Sequence, residues 1–484
     1  MISLGLCCFL YALQVDPQNI NLERYDVIPP LGRVTSITAS VLNLYAISGN
    51  YLLIFERSGL KLTRTVFFDP PPGLAAYDPA DELWLTNGNG LVRYNLVLGS
   101  VREYPFTGFI SALACGSDNI YLQSARKFAL EKTTGKFHEV AAFPGGLKWI
   151  SVLTEDELRR HPYLIPYYYR DDLTVTQSPE TRFSITALCD DGLDLYVGTD
   201  GYGLLKYNTV SGQKERLIFG PLDLNFRRQA RKSGEWLYFI TDAGVSRLNP
   251  KTGKWDYRRL NVTINDLFIA DSSWIITGGN AISYLSGTMV FPIDDFKSAV
   301  LTAATDARYF YVGTGTGMFR IERGTNEALA FGPEKQPVLA IAPVGDETYV
   351  GTEFALFRYR LNADRWDRIF PRGVKKIVAL GPDMFFLSLD NQLIKFRPAA
   401  DDTRIDDSTW VLLPYFNIYD IETDNSVLYC ASYNGLNYYE PGTSLYKPIY
   451  NLPRQKYNSI LVADPYLFAV ADRLIYRLPI LSRD

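Results

Sequence analysis

Leu195-Tyr-Val-Gly-Thr-Asp-Gly-Tyr-Gly-Leu-Leu-Lys-Tyr-Asn208 decides how this chain folds, because the same phrase returns along it. Phe310-Tyr-Val-Gly-Thr-Gly-Thr-Gly-Met-Phe-Arg-Ile321 and Thr348-Tyr-Val-Gly-Thr-Glu-Phe-Ala-Leu-Phe-Arg-Tyr359 are clear copies. Each reads as a β-branched and aromatic strand, a tight turn, then a second strand ending in a basic or aromatic residue. Weaker copies start at Leu44, Leu83, Ile120, Leu237, Trp274, Phe385, Leu428 and Leu467, making about eleven units spaced roughly 36–43 residues apart. A fixed period in that range with several short strands per unit is the signature of propeller blades. The fold class is therefore all-β: about 11–12 four-stranded β-propeller blades, too many for one ordinary ring and read as two propellers in tandem.

The parts of the unit have separate physical causes. Alternation in Ile185–Leu188 and Val338–Ile341 predicts inner strands with one face against a neighbouring sheet. Gly201, Gly203, Gly315 and Gly317 are expected to supply positive φ in the hairpin turns. The 33 Tyr and 27 Phe are what stacked blades need to fill wedge-shaped gaps, so packing is the default role of any one ring.

The phrase Leu-Tyr-Val-Gly-Thr-x-Gly-x-Gly-Leu-x-x-Tyr resembles the repeat of the two-component-regulator-type β-propellers of bacteria. The resemblance runs from about Leu31 to Leu481 and is sharp in three or four blades. It implies a propeller standing outside the membrane, as a sensor ectodomain or a free secreted protein. Unlike the sensor version, the sequence shows no transmembrane span, kinase segment or response-regulator segment after the last blade. Ligands do not transfer with such a motif.

Seven units counted back from the C-terminus make one ring, so residues 221–484 are expected as a seven-bladed propeller. Residues 20–220 are then a smaller N-terminal ring, with a degenerate blade or insertion at 145–182. Residues 1–13, Met1-Ile-Ser-Leu-Gly-Leu-Cys-Cys-Phe-Leu-Tyr-Ala-Leu13, are uninterruptedly apolar and short, as the core of a signal peptide is. Periplasmic or extracellular localisation follows, with no transmembrane span in the mature chain. The net charge of −4 argues against nucleic acid as a partner.

Catalytic signatures are scarce. The chain has only two histidines, His138 and His161, too few for a Ser-His-Asp triad or a multi-histidine metal site. Neither a metal nor a cofactor is expected. Cys115, Cys189 and Cys430 lack metal spacing and read as small core residues. The paired acids Asp171-Asp172, Asp190-Asp191 and Asp294-Asp295, with Asp420, keep a glycosidase or lyase site at a propeller rim open as an alternative. Adjacent acids in loops are more often turn formers.

Two stretches stand out against the repeat. Residues 145–182 contain a helical segment, Glu155 to Arg160, capped by Thr154. Tyr163, Tyr167, Tyr168, Tyr169, Arg170, Asp171 and Asp172 follow it, the residue mixture of recognition surfaces. They are the candidate partner-binding residues, the alternative being a structural plug. Arg227, Arg228, Arg231 and Lys232 intrude where other units carry small or apolar residues; on an innermost strand they are candidate anion-binding residues at the axial channel or its rim, the alternative being a solvated hairpin where the strand ends early. The sequence thus reads as a non-catalytic exported platform that binds protein or, alternatively, glycan. A carbohydrate-active enzyme and a sensor ectodomain are the competing readings.

Overall fold

The computed structural model describes residues 25–160, 169–170, 174–175, 182–222, 231–242, 244–260, 264–270, 273–286, 289–325, 327–398, 410–415, 417–450, 452–471 and 474–480. The apolar leader lies outside them, as does His161. Among these residues the chain forms eleven sheets of four or five strands and one two-stranded ladder. Nearly all are antiparallel meanders in sequence order, so the repeat read from Leu195 is one blade per unit.

One blade explains the rest. In the sheet running Ile185–Asp190, Asp194–Thr199, Leu204–Asn208 and Lys214–Leu217, the second strand is almost wholly buried. The Thr199 hydroxyl, fully buried, donates to the Gly203 carbonyl at 2.7 Å and accepts from Tyr202 N at 3.1 Å. Thr314 and Thr352 close their hairpins likewise, donating to Gly317 O and Ala355 O at 2.9 Å. The repeated Thr is thus a turn staple: it satisfies backbone groups that burial would otherwise orphan. The repeated Gly before it is a packing requirement. A Cβ on Gly198 would sit 2.7 Å from Val34, and one on Gly313 would sit 2.6 Å from Val338. Gly201, Gly203 and Gly317 take positive φ as expected, whereas Gly315 does not.

Contacts divide the chain into two units. The smaller takes in Thr35–Lys61 and Phe67–Val152; the larger takes in Tyr25–Val34, Leu62–Val66 and Leu153–Asp484. In the smaller unit Ala75 N donates to Ser36 Oγ at 3.0 Å, joining two successive inner strands, and the Tyr45 and Tyr77 rings stack 5.6 Å apart. Its core gathers Leu74, Trp84, Tyr104, Leu113, Ile120 and Leu130, each apolar side chain worth about 1.5–3 kcal/mol on burial. Trp149–Ser151 adds a fifth strand beside Ala112–Cys115.

In the larger unit the inner strands Arg231–Ser233, Asp266–Ala270, Val300–Thr305, Val338–Val344, Val374–Leu380, Ile418–Thr423 and Ser459–Ala463 touch in succession. Ser459–Ala463 then touches Arg231–Ser233, so the series closes on itself. The last sheet takes its outermost strand from the far end of the chain: Asp26–Ile28 pairs with Leu474–Pro479, Val27 opposite Tyr476.

Candidate binding site on the inner strands

Backbone geometry aims charged side chains of several sheets at the line where the inner strands meet. Arg231 lies on the first of the seven inner strands, and its guanidinium forks onto the fully buried Asp266 carboxylate of the next, Nε to Oδ1 at 3.1 Å and Nη2 to Oδ2 at 2.7 Å. Asp266 raises the Arg231 pKa above its ordinary value, and Glu422 and Asp420 add to the effect. Farther along the series Lys376 Nζ sits 2.9 Å from Asp420 Oδ1 and 3.7 Å from Glu422 Oε2. Asp420, fully buried, also accepts from Ser459 Oγ at 2.9 Å and Ile460 N at 3.0 Å. One carboxylate therefore ties three consecutive inner strands together. The constellation is mixed in sign and internally neutralised.

Of the candidate anion-binding residues, Arg231 is engaged by Asp266 and retains 42% exposure, and Lys232 is exposed beside it on the same strand. Arg227 and Arg228 lie outside the described residues. Among the candidate partner-binding residues, Tyr169 and Arg170 pair in backbone register with Phe183 and Arg182. Tyr163, Tyr167, Tyr168, Asp171 and Asp172 lie outside the described residues. The same segment returns to the sheet edge at Thr174–Val175, which adds in parallel to the outermost strand of a blade, Thr174 opposite Arg259. The short helix Glu155–Arg159 precedes it and has the expected Thr154 capping box.

Of the paired acids, Asp190 and Asp191 behave as turn formers, whereas Asp294 and Asp295 lie in the strand Met289–Asp295. Asp190 accepts from Gly192 N at 2.8 Å, Asp191 from Asp194 N at 2.9 Å, and Asp294 from Asp295 N at 2.8 Å. His138 stands exposed on the outer strand Phe137–Glu139, opposite Ala129. Cys189 and Cys430 are buried, Cys115 is half-buried, and all three are free thiols. Burial pushes the Cys115 thiol up to about 12 and the Cys430 thiol higher. No cluster of three metal-binding side chains occurs among the described residues, and no helix there is long and apolar enough to cross a membrane.

A second regularity was present in the sequence, though the search for motifs missed it. The third strand of seven blades carries a base, namely Arg93, Lys206, Arg247, Arg320, Arg358, Lys395 or Arg477. Each stands opposite an aromatic ring on the second strand: Trp84, Tyr196, Tyr238, Tyr311, Tyr349, Phe385 and Phe468. Two residues before that ring comes Glu82, Asp194, Trp236, Tyr309, Glu347, Asp383 or Tyr466. In the last of these blades Arg477 lies over the Tyr466 ring at 4.9 Å and pairs with Asp26. Where the residue is acidic, the pair forms. Arg93 meets Glu82, Lys206 meets Asp194 at 3.1 Å, Arg358 meets Glu347 at 3.4 Å and Lys395 meets Asp383 at 2.9 Å. Arg247 lies over the Trp236 ring at 4.4 Å and finds Asp256 at 2.7 Å instead. Arg320 is the exception among these bases, with aromatic neighbours and no carboxylate at ion-pair distance among the described residues.

Searched against known proteins, the chain matches no family model and no curated protein. Solved structures resemble it weakly. The extracellular domain of BT4673 from B. thetaiotaomicron, named as a candidate one-component system, is 14% identical with a TM-score of 0.43, covering 93% of this chain and 77% of that one. The computationally designed Ika8 protein is 12% identical with a TM-score of 0.44, covering 64% and 99%. The β-propeller domain of Myceliophteria thermophila Cps50 (Swd1) is 13% identical with a TM-score of 0.42, covering 53% and 98%.

Proposed function

We propose that this chain is an exported, non-catalytic binding platform of two propellers, with the seven blades of residues 221–484, the last completed by Asp26–Ile28, forming one ring and the remaining N-terminal blades the smaller one. The observation that carries the reading is the anchoring of the Tyr-rich excursion. Thr174–Val175 is stitched to the outermost strand of a blade, with Tyr169–Arg170 held in a ladder nearby in sequence. Thr174–Val175 therefore lies at the outer edge of that sheet, at the opposite side from its inner strand, and loops at such edges commonly carry recognition. In sequence that segment, Tyr163 to Asp172, combines aromatic residues with Arg and two carboxylates, the residue mixture of recognition surfaces. Among the described candidate acids for a hydrolase at a rim, Asp190, Asp191, Asp294 and Asp420 are engaged with backbone or base. That supports binding over catalysis. The apolar leader and the resemblance to extracytoplasmic repeats support placement in the cell envelope or outside it.

The test is capture from the envelope fraction of the source cells by the chain starting at Gln14, read by mass spectrometry. A protein captured by this chain and lost when Tyr167, Tyr168, Tyr169 and Arg170 are all changed to alanine is the expected result. Capture unaffected by the four changes would place recognition elsewhere. Glycan carried through with no protein would replace the protein-platform reading with carbohydrate recognition.

A further inference from the structure

The row of side chains that crosses the Tyr309–Thr314 blade sets an arginine between a buried tyrosine and an exposed leucine. Tyr311, Arg320 and Leu329 are successive cross-strand partners, so they share one face of the sheet. Tyr311 is buried, Arg320 half-buried, and Leu329 on the outer strand is 52% exposed, so the row opens toward solvent at its outer end. The Arg320 guanidinium lies 4.5 Å from the centroid of the Tyr309 ring and 4.4 Å from that of Phe331. Phe331 is itself fixed by Tyr359 at 4.8 Å and Trp366 at 5.2 Å from the adjoining blade.

Two acids close by are occupied. Asp306 accepts from the Tyr311 hydroxyl and Asp364 from the Tyr359 hydroxyl, both at 2.7 Å. Arg308 pairs with Glu322 at 3.0 Å. In four sister blades the position of Tyr309 is an acid that pairs with the base. Here that acid is replaced by a ring, and the base is kept.

We propose that Arg320, with Tyr309, Phe331 and the exposed Leu329, forms a binding site for a small organic carboxylate with an apolar body. The physical case rests on what ring stacking leaves free. Aromatic faces hold a guanidinium by cation–π attraction of about 0.5–2 kcal/mol without using its N–H groups. Those donors lie in the guanidinium plane, in a fork that matches a planar carboxylate bidentately. The half-buried position reduces competition from water, and Leu329 gives the ligand's hydrocarbon part a surface to cover. The site is independent of the Tyr-rich excursion and of the partner proposed there.

Titration calorimetry of the full chain with benzoate and hexanoate tests it, with acetate and inorganic phosphate as comparators. Saturable binding of the first two, at least about tenfold tighter than of acetate or phosphate, is expected. Arg320→Gln should weaken it by about tenfold or more, since a charge-assisted hydrogen-bond pair is lost. Tyr309→Asp restores the acid of the sister blades, which would pair with Arg320 from within the sheet. It should abolish binding to the same extent while the melting temperature holds or rises. No binding of either acid at 10 mM (a concentration about tenfold above a millimolar Kd) overturns the proposal. So does binding that Arg320→Gln and Tyr309→Asp leave intact, or binding of acetate and phosphate as tight as that of benzoate.

Discussion

Removing the Asp420 carboxylate should loosen three blades at once. In Asp420→Ala, Lys376 loses its partner at 2.9 Å and the Ser459 hydroxyl and Ile460 N lose their acceptor. Ile421 N, which donates to Asp420 Oδ1 at 2.8 Å, is orphaned as well. A buried donor left unsatisfied costs about 1–3 kcal/mol, and a broken buried ion pair costs about 3–5 kcal/mol in all. Glu422, 3.7 Å from Lys376, can recover part of the ionic term, which sets the expected loss at about 3–4 kcal/mol. Asp420→Asn keeps an acceptor for the Ile460 amide and loses only the charge, so it should cost about 1–2 kcal/mol. Urea denaturation resolves the two, with the midpoint falling and the slope unchanged. Lys376→Met in the Asp420→Asn background should cost less than in the native chain, because the lysine no longer has its carboxylate. If Asp420→Ala shifted stability by less than about 1 kcal/mol, or if the two changes were strictly additive, the staple reading would be wrong.

Two further outcomes follow from the same geometry. Burial would raise the Asp383 carboxyl, but hydrogen bonds from Arg397 at 2.6 Å and from Lys395 hold it below the usual carboxylate range. A depressed folded-state value means stability that is complete above the unfolded pKa, about 3.9, and lost as pH falls through the folded one. Thermal melts between pH 6 and 2 (a window of about two units either side of that value) should therefore show a shallower acid loss in Asp383→Asn than in the native chain; equal slopes would refute the pairing. Gly220→Ala should destabilise by about 2–3 kcal/mol or more, because an added Cβ would meet the Pro29 carbonyl oxygen at 1.7 Å, a clash with backbone that cannot be relieved by a rotamer change. A melting temperature within a degree of the native value would show that the Pro29 backbone yields instead.

The repeat made the blades legible because each blade is a local object. Its four strands are sequential, so the alternation at Ile185–Leu188, the Thr199 hairpin staple and the Gly198 packing requirement all lie within one stretch of sequence. The helix cap at Thr154 and the turn roles of Asp190 and Asp191 were readable for the same reason. Gly315 was misjudged because one Gly–x–Gly hairpin needs left-handed backbone at only one of its glycines. The base-and-acid pairing was equally local, written as Glu82 with Arg93 or Asp383 with Lys395, yet it escapes a search that compares hydrophobic spacing alone.

What sequence alone determined is therefore the blade: its strands, its turns and the aromatic filling between sheets. What only tertiary structure decided is how distant blades meet. That Asp26–Ile28 closes a sheet begun some 430 residues later could not be read from a three-residue strand with no repeat around it. Nor could the ties from Arg231 to Asp266 and from Asp420 to Lys376 and Ser459. Hydrogen bonds within a meander are dictated by the spacing of residues along the chain, whereas those partners are chosen by the convergence of inner strands from separate blades. Whether Arg320 is paired or free is a fact of the same kind, since it depends on tyrosines of two blades having taken Asp306 and Asp364.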